Sequence, residues 1–375
     1  LNREAIVMGV EAILVIAMFA SFMVLLLLGF PVAWSLAGIG LVFGIIGHVM
    51  VEYLDSPLWF TWQGTIGVLD ARIYGIVANE LMVALPMFIF MGIMLDRSGI
   101  AEKLMHSLVR VLGGLRGGYA ITVVLVGVLL AASTGIVGAS VVLLGMLSLG
   151  PMMQANYNKS LAVGTACSVG TLGILVPPSI MLVLMANLLA VSVGNLFLGA
   201  LLPGLVLSSL YFVYIICYAS IKPGSAPALP PDAIRVNPTN YMNLVLFLAV
   251  SAIFIAIAWF MYKSEWSGEA NWGFIAFIGI FISAMVIGKR EGPSLLGGIL
   301  KGFVPPIFLI VMVLGSIFAG WATPTEAAGV GAFGSLVLAL LNGTLNKNVL
   351  SSVVQRTGLT TAMIFMIFAG ATAFS

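Results

Sequence analysis

Apolar residues run in long unbroken stretches along almost the whole chain, as in Ile13–Phe30, Leu196–Ile221, Leu244–Met261 and Gly273–Ile287. Each approaches the roughly 20 residues that an α-helix needs to cross the hydrocarbon core of a bilayer. The apolar residues follow one another without the alternation of a membrane strand, so the pattern predicts spanning helices and no outer-membrane barrel. The expected fold is an all-α polytopic membrane protein.

Polar interruptions divide this pattern. The segment Lys222–Asn240, KPGSAPALPPDAIRVNPTN, is crowded with prolines and charges and cannot cross lipid as a helix. It is read as a polar, solvent-exposed linker between two membrane halves. Val51–Glu80 mixes Trp59, Trp62 and Tyr74 with Asp55, Asp70 and Arg72, the composition of a segment at the headgroup level. Between Asp96 and Arg116, the basic residues Arg97, Lys103, Arg110 and Arg116 are set among Ile100, Leu104, Leu108, Val109 and Leu112 at helical spacing. This predicts an amphipathic helix lying in the membrane plane, an ordinary solvated loop being the other reading. Either way, the basic cluster places the segment on the cytoplasmic side.

The resulting plan has N-terminal transmembrane helices over 1–95 with an interfacial insertion at 51–80, and an in-plane helix at 96–116. A transport region follows at 117–195, then a transmembrane helix at 196–221, the linker at 222–240 and a second transmembrane half at 241–375.

The transport region carries the strongest signals. In LLAASTGIVGASVVLLGMLSLGP, Ser133, Thr134, Gly135, Gly138 and Ser140 interrupt two apolar arms, each short for a full crossing. A re-entrant hairpin fits this pattern. Its tip would expose backbone polar groups, which are tolerated at membrane depth only inside protein or beside water. After a polar connection containing Asn156, Asn158 and Lys159, the chain returns with VGTACSVGTLGILVPPSIMLVL, where Gly170, Gly173, Pro177 and Pro178 break the helix. Carbonyls and hydroxyls at such a break can replace the water around a bare Na⁺. The same small residues and prolines would also serve close packing and a plain kink, but a hairpin followed at once by a broken helix favours a site.

Charge sharpens this reading. From Glu102 the next acidic residue is Asp232, whereas a proton-coupled carrier places a titratable group in its pathway. Sodium is the expected coupling ion, with no resident cofactor. Elsewhere, Glu326 stands alone among apolar residues in WATPTE; it is either a buried carboxylate or the third residue of a helix capped by Thr323 with Pro324 in the first turn. The T-P-T-E order favours the cap.

An internal repeat is visible. GFPVAWSLAGIGLVFG from Gly29 resembles ATPTEAAGVGAFGSLV from Ala322 when Pro31 is set on Pro324, and Met87–Gly92 resembles Phe365–Gly370. Internal duplication is the signature of secondary transporter folds.

Composition excludes several classes. With 61% hydrophobic and 7% charged residues, against roughly 25% charged in soluble domains, no water-exposed globular domain can be built. A net charge of +2 gives no basic face for nucleic acid. Cys167 and Cys217 lack a C-x-x-C pattern and are expected to be packing residues; His48 and His106 are isolated, without the company of a metal site. The N-terminal segment runs into an apolar stretch with no cleavage pattern, so the first span is expected to be retained. A membrane enzyme would need convergent His, Asp, Glu or Cys groups, and a scaffolding protein would leave the hairpin and break unexplained.

STGIVGAS, GTLGILVPPSIMLVL and VSVGNLFLGALLPG, together with LPMFIFMGIMLDRSGIAEKL and FAGWATPTEAAGVGAFG, resemble the large membrane subunits of tripartite ATP-independent periplasmic (TRAP) transporters. The nearest resemblance is to the subgroup labelled mannitol or chloroaromatic compound transporters. It implies an inverted-repeat, elevator-type carrier of the bacterial inner membrane with sodium sites near two hairpin tips. The first site would draw on Ser133 and Thr134 of the hairpin and on Gly173, Val176 and Pro177 of the break, mostly through backbone oxygens. It also implies a small TRAP membrane subunit, a periplasmic substrate-binding protein, a small organic anion as substrate and surrounding membrane lipid. A related ion-transporter-fold carrier working without a binding protein is the alternative. TRAP large subunits carry a second hairpin and a second broken helix, which do not occur before Ser375; the second repeat is therefore expected to be incomplete, with the second sodium site beyond this sequence.

Overall fold

The computed structural model describes residues 2–53, 62, 67–134, 137–230, 241–263, 270–291 and 295–375, and every regular element among them is helical. In chain order the helices are α1 (Asn2–Leu27), α2 (Val32–Tyr53), α3 (Leu69–Val77), α4 (Glu80–Arg97), α5 (Ile100–Leu112), α6 (Gly118–Thr134), α7 (Val137–Gln154) and α8 (Lys159–Gly170). They continue with α9 (Ile180–Leu188), α10 (Val193–Ile221), α11 (Tyr241–Lys263), α12 (Ala270–Glu291), α13 (Leu295–Gly302), α14 (Val304–Phe318), α15 (Pro324–Leu341) and α16 (Lys347–Phe374). Among the described residues six spans are long and apolar enough to cross a bilayer. They are Val32–Glu52, Val193–Ile221, Tyr241–Trp259, Leu296–Phe318, Pro324–Leu341 and Lys347–Phe374, and α3 with α4, bent by 52° at their junction, would make a seventh. The chain is thus an all-α polytopic membrane protein. Of the interfacial stretch read at 51–80, residues 54–61 and 63–66 lie outside the described residues, as do 231–240 of the linker.

Several hydroxyl groups inside the apolar helices are satisfied locally, although the buried hydroxyls of Thr357 and Thr361 in α16 meet no partner among the described residues. Thr122, Ser148, Thr165 and Ser208 each donate to the carbonyl four residues earlier, at 2.6–2.9 Å. A hydroxyl bonded to its own helix leaves no polar group bare in lipid, so these residues are compatible with spanning helices.

Residues 1–83 with 356–375 form one compact unit. Within it α2 and α16 meet at glycines: a Cβ on Gly40 would overlap the Ala373 carbonyl, and one on Gly370 would press on the Ala33 carbonyl. Phe374 packs its ring edge against Phe19 at 5.4 Å. His48 lies 3.8 Å from Glu52 one turn on, and its ring is tilted against that of Trp62 with centres 5.3 Å apart.

Residues 84–355 form the second unit. Here α4 and α15 also meet at a glycine, since a Cβ on Gly331 would strike the Met91 sulfur and Val313. The α15 N-terminus forms the expected capping box: Glu326 N–H donates to Thr323 Oγ1 at 3.3 Å, and Thr323 N–H donates to Glu326 Oε2 at 2.7 Å. The chain enters α2 and α15 in the same way. A glycine of positive φ, Gly29 at 85° and Gly320 at 70°, closes the preceding helix, and a proline, Pro31 or Pro324, opens the next.

The apolar face of α5, with Ile100, Ala101, Leu104, Met105 and Leu108, is buried by protein. Its neighbours include α6 and α13; Gly298 and Gly302 of α13 abut Ser107 and Leu104. The helical periodicity of this segment therefore reports a packed protein contact, made close by two glycines one turn apart. Glu102, Lys103, His106 and Arg110 occupy the exposed face. Ser251 of α11 and Ser283 of α12 face each other at 3.3 Å.

The start of the polar linker, exposed over most of its length, is also held in place by its neighbours. Residues 222–229 are tied by backbone hydrogen bonds across the base of α6 and α8, and Ala226 is fully buried. Proline and charge rule out a spanning helix, but they leave amides and carbonyls free to pair with a neighbouring surface. Cys167 and Cys217 depart from expectation, being exposed on the outer faces of α8 and α10 instead of packed in the core. An apolar sequence neighbourhood does not distinguish a core face from an outward face in a membrane helix.

Candidate functional site

The site is assembled by α6, α7, α8 and the broken segment that follows. A two-residue link joins α6 to α7, and a Cβ on Gly127 would touch Leu144, its mirror position across the link, so the pair is an antiparallel hairpin. The next link, Ala155–Asn158, returns the chain along α7. Asn158 caps α8, its Oδ1 accepting from the amides of Ser160 at 2.9 Å and Leu161 at 3.3 Å. Tyr157 Oη accepts from the Tyr119 amide at 3.2 Å, so the same link also caps α6. Burial raises the Tyr157 phenol above its usual range and keeps it a neutral hydrogen-bonding group.

At the far end of α8, the hairpin and the break come together. A Cβ on Gly170 would sit 2.9 Å from both the backbone nitrogen and Cα of Val141, in the first turns of α7. Val169 fits against Gly127 on the other arm. The glycines bring the end of α8 against the hairpin just below its tip. Val123, Val126, Leu144, Val169, Leu172 and Val176 belong to one buried core.

Beyond Gly170 the helix tightens into a 3-10 turn at Thr171–Ile174 and then stops. Leu175 and Val176 amides both donate to the Leu172 carbonyl, at 3.0 and 2.9 Å. The next two donors in a helix would be residues 177 and 178, both prolines without an N–H. Gly173 and Ile174 therefore lose their i+4 partners. The Ser179 hydroxyl replaces one of them, donating to the Ile174 carbonyl at 3.1 Å. No hydrogen bond among the described residues reaches the carbonyls of Gly173, Leu175, Val176, Pro177 or Pro178. Gly173, Val176, Pro177, Pro178 and Ser179 are buried, and the chain resumes as α9 at Ile180.

The structure thus brings Gly173, Val176 and Pro177 into one buried break beside the hairpin. Ser133 and Thr134 end α6 at the hairpin tip, and their side chains lie outside the described residues, as do residues 135–136 altogether. Two contributors escaped the sequence reading. Ser179 supplies the hydroxyl that satisfies Ile174, and a serine directly after Pro-Pro was its signal. Gly204 of α10 lets that helix approach the break, with a Cβ there only 3.3 Å from Val176 and 3.6 Å from the Leu175 carbonyl. Its neighbour Pro203 marked the position, but nothing local pointed across to the break.

The arrangement offers oxygen acceptors that meet no donor and no carboxylate among the described residues, which suits a hard monovalent cation. Comparison with known proteins identifies the family. The sequence model described as "Tripartite ATP-independent periplasmic transporter, DctM component" matches residues 19–375. The C4-dicarboxylate TRAP transporter large permease protein DctM of Pseudomonas aeruginosa is 28% identical over 311 residues, covering 82% of this chain and 58% of that protein. The ectoine TRAP transporter large permease protein TeaC of Halomonas elongata is 23% identical, covering 96% of this chain and 67% of that protein. The sialic acid TRAP transporter large permease protein SiaM of Vibrio cholerae is 24% identical, covering 93% and 65%. The chain spans about half to two thirds of the length of these curated relatives. With its succession of apolar helices and a match over nearly its whole length, this multi-pass inner-membrane chain belongs to the DctM family of TRAP transporter large membrane components.

Proposed function

We propose that this chain provides the membrane path of a TRAP carrier that couples sodium entry to the uptake of a small organic acid. The observation that carries the proposal is the run of carbonyls at Gly173, Leu175, Val176, Pro177 and Pro178 that meet no donor among the described residues, all but the half-buried Leu175 in buried residues, beside the hairpin and free of acidic residues. Oxygen ligands of this kind replace the hydration shell of Na⁺ without titrating, and the half-helix ends add their dipoles. Ser133 and Thr134 complete the set with hydroxyls from the tip. Protons have no carrier here, because no carboxylate or imidazole occurs between His106 and Asp232.

An elevator movement, in which hairpin and break travel together, is supported by their common buried core and by the strap at 222–229 that ties the base of α6 to α8. An inverted repeat is supported by two matching glycine contacts. Of the aligned segments, α2 meets α16 in one unit and α15 meets α4 in the other, so each copy's first helix packs on the other copy's second.

The substrate class rests on family members named for C4-dicarboxylates, sialic acid, isethionate and ectoine, all bearing a carboxylate or sulfonate group. A small membrane subunit and a periplasmic binding protein complete the carrier, the latter selecting the substrate. The substrate class is tested on that binding protein: an organic acid is expected to raise its thermal midpoint by several degrees. A neutral compound doing so while every organic acid fails contradicts the assignment.

A further inference from the structure

At the end of the hairpin opposite its tip, three separate segments meet through their backbones. Gly117 N–H donates to the Ala226 carbonyl at 3.0 Å, Asn158 N–H to the Ser225 carbonyl at 2.9 Å, and Leu229 N–H to the Gly113 carbonyl at 2.8 Å. Each of the three carries a cation within a few residues of these bonds. Arg116 precedes Gly117, Lys159 follows Asn158, and Lys222 accepts at its carbonyl from the Ser225 amide, opening the strap. All three are exposed, and none forms an ion pair among the described residues. The same segments contain no acidic residue, the nearest in sequence being Glu102 and Asp232. Folding has therefore concentrated positive charge that the sequence spreads over more than a hundred residues.

This level is also a membrane boundary. The spanning helix α10 ends at Ile221, its last turns carry Tyr214 and Tyr218 stacked at 5.8 Å, and Lys222 Nζ lies 5.6 Å from the Tyr218 ring centre. Tyrosines followed by a lysine at a span's end mark the depth of the headgroups. Exposed apolar side chains flank the cations, Leu115 at 56% and Ile221 at 77%.

We propose that the strapped base of the hairpin is a binding site for anionic phospholipid. Arg116, Lys159 and Lys222 hold the headgroup phosphate, and Leu115 and Ile221 lie against the acyl chains. The guanidinium gives a planar two-point contact to phosphate, the two ammonium groups give point charges around it, and the negative surface of an anionic leaflet draws all three. A bound lipid bridges the hairpin, α8 and the end of α10, adding a link where the strap already supplies three.

The test uses the whole chain purified in neutral detergent and titrated with phosphatidylglycerol, with phosphatidylcholine and inorganic phosphate as separate arms, the readout being the thermal unfolding midpoint. Phosphatidylglycerol is expected to raise the midpoint, phosphatidylcholine and phosphate are not, and added salt should shrink the rise. Removing one such charge weakens attraction to an anionic surface roughly fivefold. Arg116→Gln/Lys159→Gln/Lys222→Gln should therefore need over ~10-fold more phosphatidylglycerol for half the effect. Arg290→Gln/Lys347→Gln/Arg356→Gln, of equal charge, should respond as the parent does. If the first triple variant does not fold, Lys159→Gln and Lys222→Gln singly, each expected to shift the dose about fivefold, decide the matter. Variants at these positions that respond like the parent overturn the site, and inorganic phosphate reproducing the whole rise overturns its assignment to lipid.

Discussion

Pro177 and Pro178 act by what they lack. Each removes the amide that Gly173 or Ile174 would meet in a continuous helix, and among the described residues only Ile174 finds a substitute, in Ser179. Thr134, at the end of α6, is the proposed side-chain ligand. Thr134→Val keeps the volume nearly unchanged and removes the oxygen, so the sodium concentration for half-maximal uptake should rise at least severalfold. An unchanged activation curve in a folded variant removes Thr134 from the ligand set. A second residue-scale prediction concerns packing. Gly170→Ala would force a methyl against the Val141 backbone, whereas a Cβ at Gly164, one and a half turns earlier in α8, meets nothing within 4 Å. Overpacking of this kind costs about 1–3 kcal/mol. Gly170→Ala should lower the thermal midpoint, and Gly164→Ala should leave it unchanged or higher; equal midpoints contradict the close approach of α8 to the hairpin.

At the scale of elements, the break and the hairpin are the proposed functional unit. Pro177→Ala/Pro178→Ala restores two N–H donors, lets α8 continue towards α9, and consumes the carbonyls proposed to face sodium. The expected outcome is an intact or higher thermal midpoint with sodium activation shifted at least tenfold. Unchanged activation would contradict ligation by these carbonyls. This break was legible in the sequence because its cause is local: prolines deny donors, and glycines before them admit a tighter turn. The capping box of α15 was legible for the same reason, its four residues being contiguous. The strap was not, because it consists of backbone bonds from 225, 226 and 229 to 158, 117 and 113, and backbone pairing between distant segments leaves no mark on side-chain pattern. The partner of α5 was equally hidden. Its apolar stripe announced a buried face, and only the structure shows that Gly298 and Gly302 of α13 take part in covering it.

At the scale of the whole molecule, a chain with 7% charged residues has few groups but backbone and hydroxyl oxygens to offer a cation at membrane depth, where lipid penalises charge. The family match over residues 19–375 and the two glycine crossings of the repeat agree with a carrier architecture. Its central claim is coupling by sodium through a carboxylate-free site. The direct measurement is uptake of the cognate organic acid into proteoliposomes holding the full-length large subunit and its small partner, with the binding protein outside. External Na⁺ is varied at fixed pH, and an inward proton gradient is imposed separately without sodium. The account predicts uptake that saturates with external Na⁺ and does not appear under the proton gradient alone. Uptake driven as well by protons without sodium would contradict it.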